Sequence, residues 1–118
     1  MSHPDSEVRK RAAHDFVFLI PEEETVRALA TALADPIEGV RREAGVNLFC
    51  SGESARHAVP ELIAALDHPD VFIRRTAAAA LSNVGPEARS ALTKLNELRD
   101  TTDSLFRAWV AEAIRRLS

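Results

Sequence analysis

The feature that most constrains this chain is an internal repeat that recurs about every 33 residues. Four segments align without gaps, and in each an apolar residue is followed directly by arginine. The apolar column, with separations of 32, 33 and 33 positions, consists of Val8, Val40, Ile73 and Phe106. Eight positions further along, a second apolar column consists of Phe16, Leu48, Leu81 and Ile114. A fixed period of this size is typical of a protein built from stacked, similar units.

A second motif precedes each of the last three segments. Its apolar columns are three residues apart, which is helical spacing, and they consist of Val26, Val59 and Leu92, then Leu29, Leu62 and Leu95. Proline stands in the turns between the motifs, where it fits the first turn of a helix. Asp5, Asp70 and Asp103 occupy the N-cap positions of the helices that follow. Each unit is therefore predicted to be a helix, a tight turn, a second helix and a loop.

These residues resemble HEAT repeats, and in particular the short HEAT-like repeats of phycobilin lyases. The strongest resemblance is the pattern D-P-x-x-x-V-R-x-x-A, which reads DPIEGVRREA in this chain. It implies an all-α fold, a right-handed α-α superhelix (solenoid) of about three and a half helical-hairpin repeats. The resemblance covers essentially the whole chain as one domain, with an orphan helix at 5–20 and repeats at approximately 22–51, 55–84 and 87–117.

The resemblance also implies a structural role for the arginine that follows the first apolar column. In this family that arginine typically pairs with turn aspartates of the same or an adjacent repeat, and the aspartates near enough in sequence are Asp35, Asp67 and Asp100. A structural ladder is therefore expected to contain Arg9, Arg41, Arg74 and Arg107. The last unit has Thr101-Thr102 where other units have Asp-Pro or His-Pro, so its turn is expected to differ.

Composition narrows the classes of partner and compartment. The chain has 46% hydrophobic, 28% charged and 5% aromatic residues and no Tyr, which favours helices. A net charge of −3 gives no general attraction to nucleic acid, and no apolar run approaches the roughly 20 residues of a membrane span. The one cysteine, Cys50, suits a reducing compartment. The sequence therefore predicts a cytoplasmic protein with neither a nucleic-acid nor a membrane partner.

No motif in the sequence points to catalysis, a metal or a cofactor. The four histidines are spread over turns and one helix face, and His3 and His68 recur in the same column of the repeat, so no zinc site is predicted. Cys50 has no histidine beside it in sequence and is predicted to be an inert, at least half-buried thiol. The chain also lacks a phosphate-binding loop and a nucleophile motif. We therefore expect a protein that is not an enzyme.

The resemblance implies that the second helices line the concave face of the superhelix. Their segments hold ten basic and eight acidic residues, whereas the remaining segments hold five basic and ten acidic ones. At 100° per residue, positions two, six and nine after the first column face away from the core. A basic edge beside an apolar strip suits an acidic amphipathic helix or peptide, and a solvated charged face is the alternative. The candidate contacts are Lys10, Arg42, Arg75, Val46, Phe49 and Arg115. Trp109 is predicted to close the C-terminal end.

The stretch FVFLI at residues 16–20 is more apolar than a terminal repeat requires. Val17, Phe18 and Ile20 stand where later repeats have polar or small residues. Because exposed apolar side chains favour association, these three residues form a candidate association end. Either a second copy, making a homodimer, or a helix of a partner would cover it. The alternative is that they fold locally over the next helix.

Two classes of function remain open from the sequence. The leading hypothesis is a non-catalytic scaffold or adaptor that binds another protein, by analogy with other proteins of this architecture. The alternative is a subunit of a heterodimeric phycobilin lyase-like enzyme, in which the HEAT-like chain helps to position a tetrapyrrole. DNA binding of the kind found in HEAT-like alkylpurine glycosylases needs a longer chain and an aromatic-lined cleft, and it is not predicted.

Overall fold

The computed structural model describes residues 22–118, and all regular structure within that range is helical. Its six α-helices are α1 (Glu22–Ala32), α2 (Glu38–Cys50), α3 (Val59–Ala65), α4 (Val71–Val84), α5 (Leu92–Glu97) and α6 (Ser104–Leu117). Two 3-10 segments lead directly into α3 and α5, and they span Gly52–Ala58 and Pro86–Ala91. The predicted all-α fold class is confirmed. The predicted orphan helix at residues 5–20 lies outside the described residues.

The helices form three pairs that stack into a solenoid. The first helix of each pair, α1, α3 or α5, packs on the second helix, α2, α4 or α6. The second helices lie side by side with α4 in the middle. Because no single pair can bury its apolar stripe, the stacking of neighbours creates one continuous core. The predicted helical solenoid is confirmed.

The core contains a stripe of buried side chains on each second helix, packed against buried side chains of the first helices. On α6 the buried residues are Phe106, Val110, Ala113 and Leu117, at spacings of four, three and four that define one helix face. On α4 the buried set is broader and includes the whole run Ala77–Ala80. The reason is that α4 packs between α2 and α6, and alanine side chains leave room for both neighbours.

Two positions in the repeat columns are adapted to their place in the stack. Gly45 of α2 lies so close to α4 that a Cβ atom there would be 3.1 Å from Cγ2 of Thr76. Ile114 of α6 is only half-buried, whereas its equivalents Leu48 and Leu81 are fully buried. That difference arises because no described helix packs against the side of α6 opposite α4.

Aspartate side chains begin two of the second helices. The carboxylate of Asp70 accepts a hydrogen bond from the backbone N–H of Phe72 at 2.9 Å, and that of Asp103 accepts one from Phe106 at 2.7 Å. The predicted N-caps of α4 and α6 are thus confirmed. The first described second helix, α2, begins differently, because its N-cap residue is Ile37 and makes no side-chain capping bond.

Candidate functional site

A groove follows α4 between the two flanking second helices. It contains an open cavity of about 320 Å³. α4 forms its floor, and α2 and α6 form its walls; the lining residues are Val46, Phe49, Phe72, Arg75, Thr76, Ala79, Leu105 and Trp109. The groove therefore lies on the second helices, the layer that the sequence predicted for binding. It brings together three of the predicted contacts, Val46, Phe49 and Arg75.

The walls of the groove are aromatic and aliphatic. Trp109 meets Phe49 edge to face, with ring centroids 6.0 Å apart and an angle of 75° between the ring planes, a favoured geometry for aromatic pairs. Val46 is 46% exposed and Leu105 is 50% exposed. Within residues 22–118, Ile37 is the one other large hydrophobic side chain that is exposed. Two of the three exposed large apolar side chains in that range therefore share one groove.

Arg42 lies at the edge of the groove, above the ring of Phe72. Its guanidinium carbon is 4.4 Å from the ring centroid, which is the geometry of a cation–π contact. Its Nε atom also donates to the carboxylate of Glu38 at 2.9 Å. The side chains of this pair, one turn apart on α2, are 48% and 60% exposed. An aromatic face and a solvent-screened ion pair thus hold Arg42 beside the groove.

Arg75 differs from its sequence prediction, which grouped it with Arg42 as a contact for a partner. Its Nε atom donates to Oδ2 of Asp103 at 2.8 Å, and its Nη2 atom donates to Oδ1 of the same carboxylate. The hydrogen bonds from Arg75 outweigh the effect of partial burial and lower the pKa of Asp103 from 3.8 to about 2. The guanidinium of Arg75 is engaged in this way because the N-cap of α6 lies opposite it. Arg75 therefore links two repeats while it lines the groove.

The remaining predicted contacts do not line the groove. Arg115, near the end of α6, forms an ion pair with Glu112 at 2.6 Å and has a side chain that is 71% exposed. Lys10, together with the candidate association end formed by Val17, Phe18 and Ile20, lies outside the described residues.

The ladder arginines bind the turns that precede their own helices, through backbone carbonyls. From Nη1, each donates at 2.9–3.1 Å to carbonyl oxygens five or six residues earlier: Arg41 to Asp35 and Pro36, Arg74 to His68 and Pro69, and Arg107 to Thr101. These bonds fix the turn of each repeat against the start of its second helix. The fourth predicted ladder residue, Arg9, lies outside the described residues.

Arg41 also reaches the next repeat. Its Nη2 atom is 3.2 Å from Oδ2 of Asp70, and the two side chains are only 17% and 14% exposed. Burial would raise the pKa of Asp70, but hydrogen bonds from the backbone N–H of Phe72 and from Arg41 outweigh it, so the pKa is lowered. Of the aspartates suggested by sequence proximity, Asp35 offers Arg41 its backbone carbonyl, and Asp67 forms an ion pair with Lys94 at 2.6 Å.

The described residues offer little for catalysis or metal binding. Cys50, predicted to be at least half-buried, is exposed, because it is the last residue of α2 and points away from the core. No group of three or more metal-ligating side chains is found in residues 22–118. In the same range, no helix combines the length and apolar character needed to cross a membrane.

Comparison with known proteins identifies the repeat. Residues 50–115, more than half of the chain, match the family described as HEAT repeats. The chain belongs to the HEAT-repeat family. A similar fold is seen in the crystal structure of an engineered protein, a Northeast Structural Genomics Consortium target, with a TM-score of 0.76 and 24% sequence identity. The alignment covers 98% of this chain and 58% of the engineered protein. A search of curated proteins gives no match.

Five residues that line the groove were missed as binding contacts in the sequence, and the HEAT columns contain a signal for the three large apolar ones. Phe72 and Leu105 stand just before the first apolar column, and Trp109 stands three residues after it. The positions one before, three after and six after the first apolar column are spaced by four and three residues. They therefore share one helix face. A helical wheel extended by one residue at its start would have included them. Trp109, predicted to close the C-terminal end, lies in the wall of the groove instead.

Proposed function

We propose that this HEAT-repeat protein is a non-catalytic scaffold or adaptor that binds a helix or peptide of another protein in the groove between α2, α4 and α6. The observation that carries the proposal is the clustering of exposed Val46 and Leu105 in one groove, beside the Phe49–Trp109 pair. Exposed apolar side chains that collect in a concave surface mark binding sites. HEAT repeats generally mediate contacts between proteins, and their stacked second helices create a concave surface for them.

The groove supports a binding role better than a chemical one. HEAT-repeat proteins are typically non-catalytic scaffolds, and the groove lining is apolar apart from Arg75 and Thr76. We propose that the protein works in the cytoplasm, for which the single Cys50 is the supporting observation. No observation in residues 22–118 favours a phycobilin lyase-like role, and we do not propose one.

Two parts of the proposal rest on sequence alone. Lys10 is proposed to extend the basic edge of the binding face. Val17, Phe18 and Ile20 are proposed as an association end for a second copy or a partner helix. The association end is tested by measuring the solution mass of the wild type and of a Phe18→Ser, Ile20→Ser variant. A monomeric mass for both proteins would rule out the homodimer.

The binding proposal is tested with a variant that makes the groove polar without touching the core. Val46→Asp combined with Leu105→Asp replaces two half-exposed side chains, so the fold should remain stable. The matched control is Ile37→Asp, which changes an apolar residue outside the groove that is 39% exposed. Partners captured from native cells by the wild type are identified by mass spectrometry, and their direct binding to each purified variant is then measured.

We expect the groove variant to lose at least about tenfold in affinity for such a partner, since central apolar anchors dominate the energy of an interface. The Ile37→Asp control should bind like the wild type. A captured partner that binds the groove variant and the wild type equally well would place the interface elsewhere and overturn the proposal.

A further inference from the structure

We propose that the groove selects a partner helix that carries one large apolar anchor and, about one turn away, a carboxylate that takes the place of Glu38 on Arg42. This inference rests on the proposed binding function and adds the side-chain class and the charge of the partner. It is carried by the size of the cavity, by the position of Arg42 over Phe72, and by the ion pairs around the groove.

The cavity sets the size of what enters it. Its volume of about 320 Å³ is at the lower end of the range of about 300–1,000 Å³ that is usual for small-molecule sites. Such a space accommodates one or two large side chains rather than a whole helix. A partner helix would therefore lie across the mouth, on Val46 and Leu105, and insert its anchor between Phe49 and Trp109.

The ion pairs around the groove determine which charge it can accept. Arg75 and Asp103 satisfy each other through two hydrogen bonds and leave no net charge for a partner. Arg42 has a weaker attachment, since Glu38 is an exposed carboxylate on the same helix and water screens their attraction. A carboxylate that arrives from the groove can displace Glu38 from Arg42 with little loss.

The ring of Phe72 prepares Arg42 for this exchange. Because the guanidinium rests on a ring that also lines the groove, its position is already fixed before a partner binds. A carboxylate in the groove would approach Arg42 beside this ring, where less water screens the pair. A partner lysine would instead bring a second positive charge against Arg42, which opposes binding.

The probe is a displayed library of helical peptides without tryptophan, each with one central Leu, Phe or Met and random residues elsewhere, selected on the purified full chain. Trp109 is the only tryptophan of the protein and lies in the groove wall, so its emission reports directly on occupancy. We expect the selected peptides to be enriched in Asp or Glu three or four residues from the anchor. Their binding should also change the emission of Trp109.

Charge reversal at Arg42 then tests the contact itself. Arg42→Glu should weaken the selected acidic peptides at least about tenfold, because like charges would face each other. Replacing the peptide carboxylate by lysine should restore binding to this variant. The matched control is Arg27→Glu, which reverses an arginine with the same spacing to its partner, 3.1 Å from Glu23 on α1, away from the groove. This control should bind the peptides like the wild type.

The outcomes separate this inference from the proposed function. Selected peptides that are lost in the Val46→Asp, Leu105→Asp variant, yet show no charge preference and ignore Arg42→Glu, would overturn the acidic partner and leave the groove as a binding site. Selected peptides that bind that groove variant as well as the wild type, or a library from which nothing is enriched, would overturn both.

Discussion

The carboxylate of Asp103 both begins α6 and binds Arg75 of α4. It accepts hydrogen bonds from the backbone N–H of Phe106 at 2.7 Å and from Nε of Arg75 at 2.8 Å. One side chain therefore sets the start of a helix and ties that helix to the preceding repeat. Asp70 does the same one repeat earlier, where it caps α4 and binds Arg41 of α2. The two arginines differ by one position in the repeat, since Arg41 is first and Arg75 second after the apolar column.

The Asp103 pair predicts a specific loss of stability in acid. The pKa of Asp103 is lowered from 3.8 to about 2 in the folded protein, so the unfolded chain binds more protons in this range. The stabilisation is therefore fully present above about pH 4 and is lost as the pH falls towards about 2. Urea denaturation of the wild type and of Asp103→Asn, from pH 7 down to pH 2, should give midpoints that differ above pH 4 and converge below it.

Asparagine suits this test because it caps a helix nearly as well as aspartate, so the substitution removes mainly the charge. Asp100→Asn removes an exposed carboxylate from the turn before α6 without touching the Arg75 pair, and it is the matched control. If the curves of the wild type and Asp103→Asn run parallel from pH 7 to pH 2, the ion pair does not stabilise the fold.

Neighbouring arginines on α2 should differ in their effect on stability. Arg41 is largely buried and bonds two carbonyls and Asp70, whereas Arg42 is half-exposed. We expect Arg41→Met to cost about 1–2 kcal/mol, because it removes the bonds of Arg41 to the part-buried carbonyl of Asp35 and carboxylate of Asp70. In the wild type, Nε of Arg41 is buried without an acceptor among the described residues. Methionine removes this unpaired donor, and that partly offsets the loss of stability. Arg42→Met should change stability by less than about 0.5 kcal/mol.

Thermal unfolding of the two variants measures this difference, and methionine keeps most of the buried aliphatic stem in both. Arg75→Met should lower the melting temperature in the same direction as Arg41→Met, because it also breaks a bond between repeats. Equal shifts for Arg41→Met and Arg42→Met would mean that the bonds of Arg41 to the turn do not contribute.

The parts of the fold that the sequence predicted correctly depend on local signals. Helical spacing of apolar residues and an aspartate at the start of a helix are properties of a few consecutive residues, and the caps at Asp70 and Asp103 follow from them. Because these signals repeat along the chain, they also predict that the helix pairs stack on one another. The solenoid could therefore be deduced without any knowledge of contacts between distant residues.

The groove could be predicted only in part, because it depends on how adjacent helices are rotated against each other. Arg41 and Arg75 occupy different columns, yet each reaches the N-cap aspartate of the next repeat. If a helix turns about its axis by the angle between two consecutive residues, these roles are exchanged. The spacing of residues in the sequence does not determine that rotation. Trp109 is a similar case, since its edge contact with Phe49 spans two repeats.

The close approach of α2 and α4 at Gly45 predicts an unusual response to alanine. In a helix, replacing glycine by alanine normally stabilises by about 1 kcal/mol. Here the new Cβ would lie 3.1 Å from Cγ2 of Thr76, and the rotamer of Thr76 is fixed because its hydroxyl donates to the carbonyl of Phe72 at 2.7 Å. Gly45→Ala alone should therefore bring no gain in the free energy of unfolding.

Serine at position 76 keeps the hydroxyl and removes the methyl group that causes the crowding. In the Thr76→Ser background, Gly45→Ala should stabilise by about 1 kcal/mol, as helix propensity alone predicts. Urea denaturation of the four proteins in this cycle gives the comparison. The same effect of Gly45→Ala in both backgrounds would show that α2 and α4 have room to move apart.

The contact between Phe49 and Trp109 should couple the two walls of the groove energetically. Aromatic pairs in edge-to-face geometry contribute about 0.5–1.5 kcal/mol beyond the area they bury, and the rings here are 6.0 Å apart at 75°. In a double-mutant cycle of Phe49→Ala and Trp109→Ala, the measured coupling should fall in that range. The backbone carbonyl of Phe49 also accepts a hydrogen bond from the side chain of Asn83 at 3.0 Å, which fixes the α2 wall against α4.

A second cycle, of Phe49→Ala with Leu92→Ala on α5, supplies the control, because Leu92 lies in the layer of first helices and distant sites add within about 0.3–0.5 kcal/mol. Coupling confined to Phe49 and Trp109 would mean that the groove is held open at a fixed width before any partner arrives, so binding would require little further ordering. Coupling near zero in both cycles would mean that the walls move independently, and the groove would then have to be shaped by its partner.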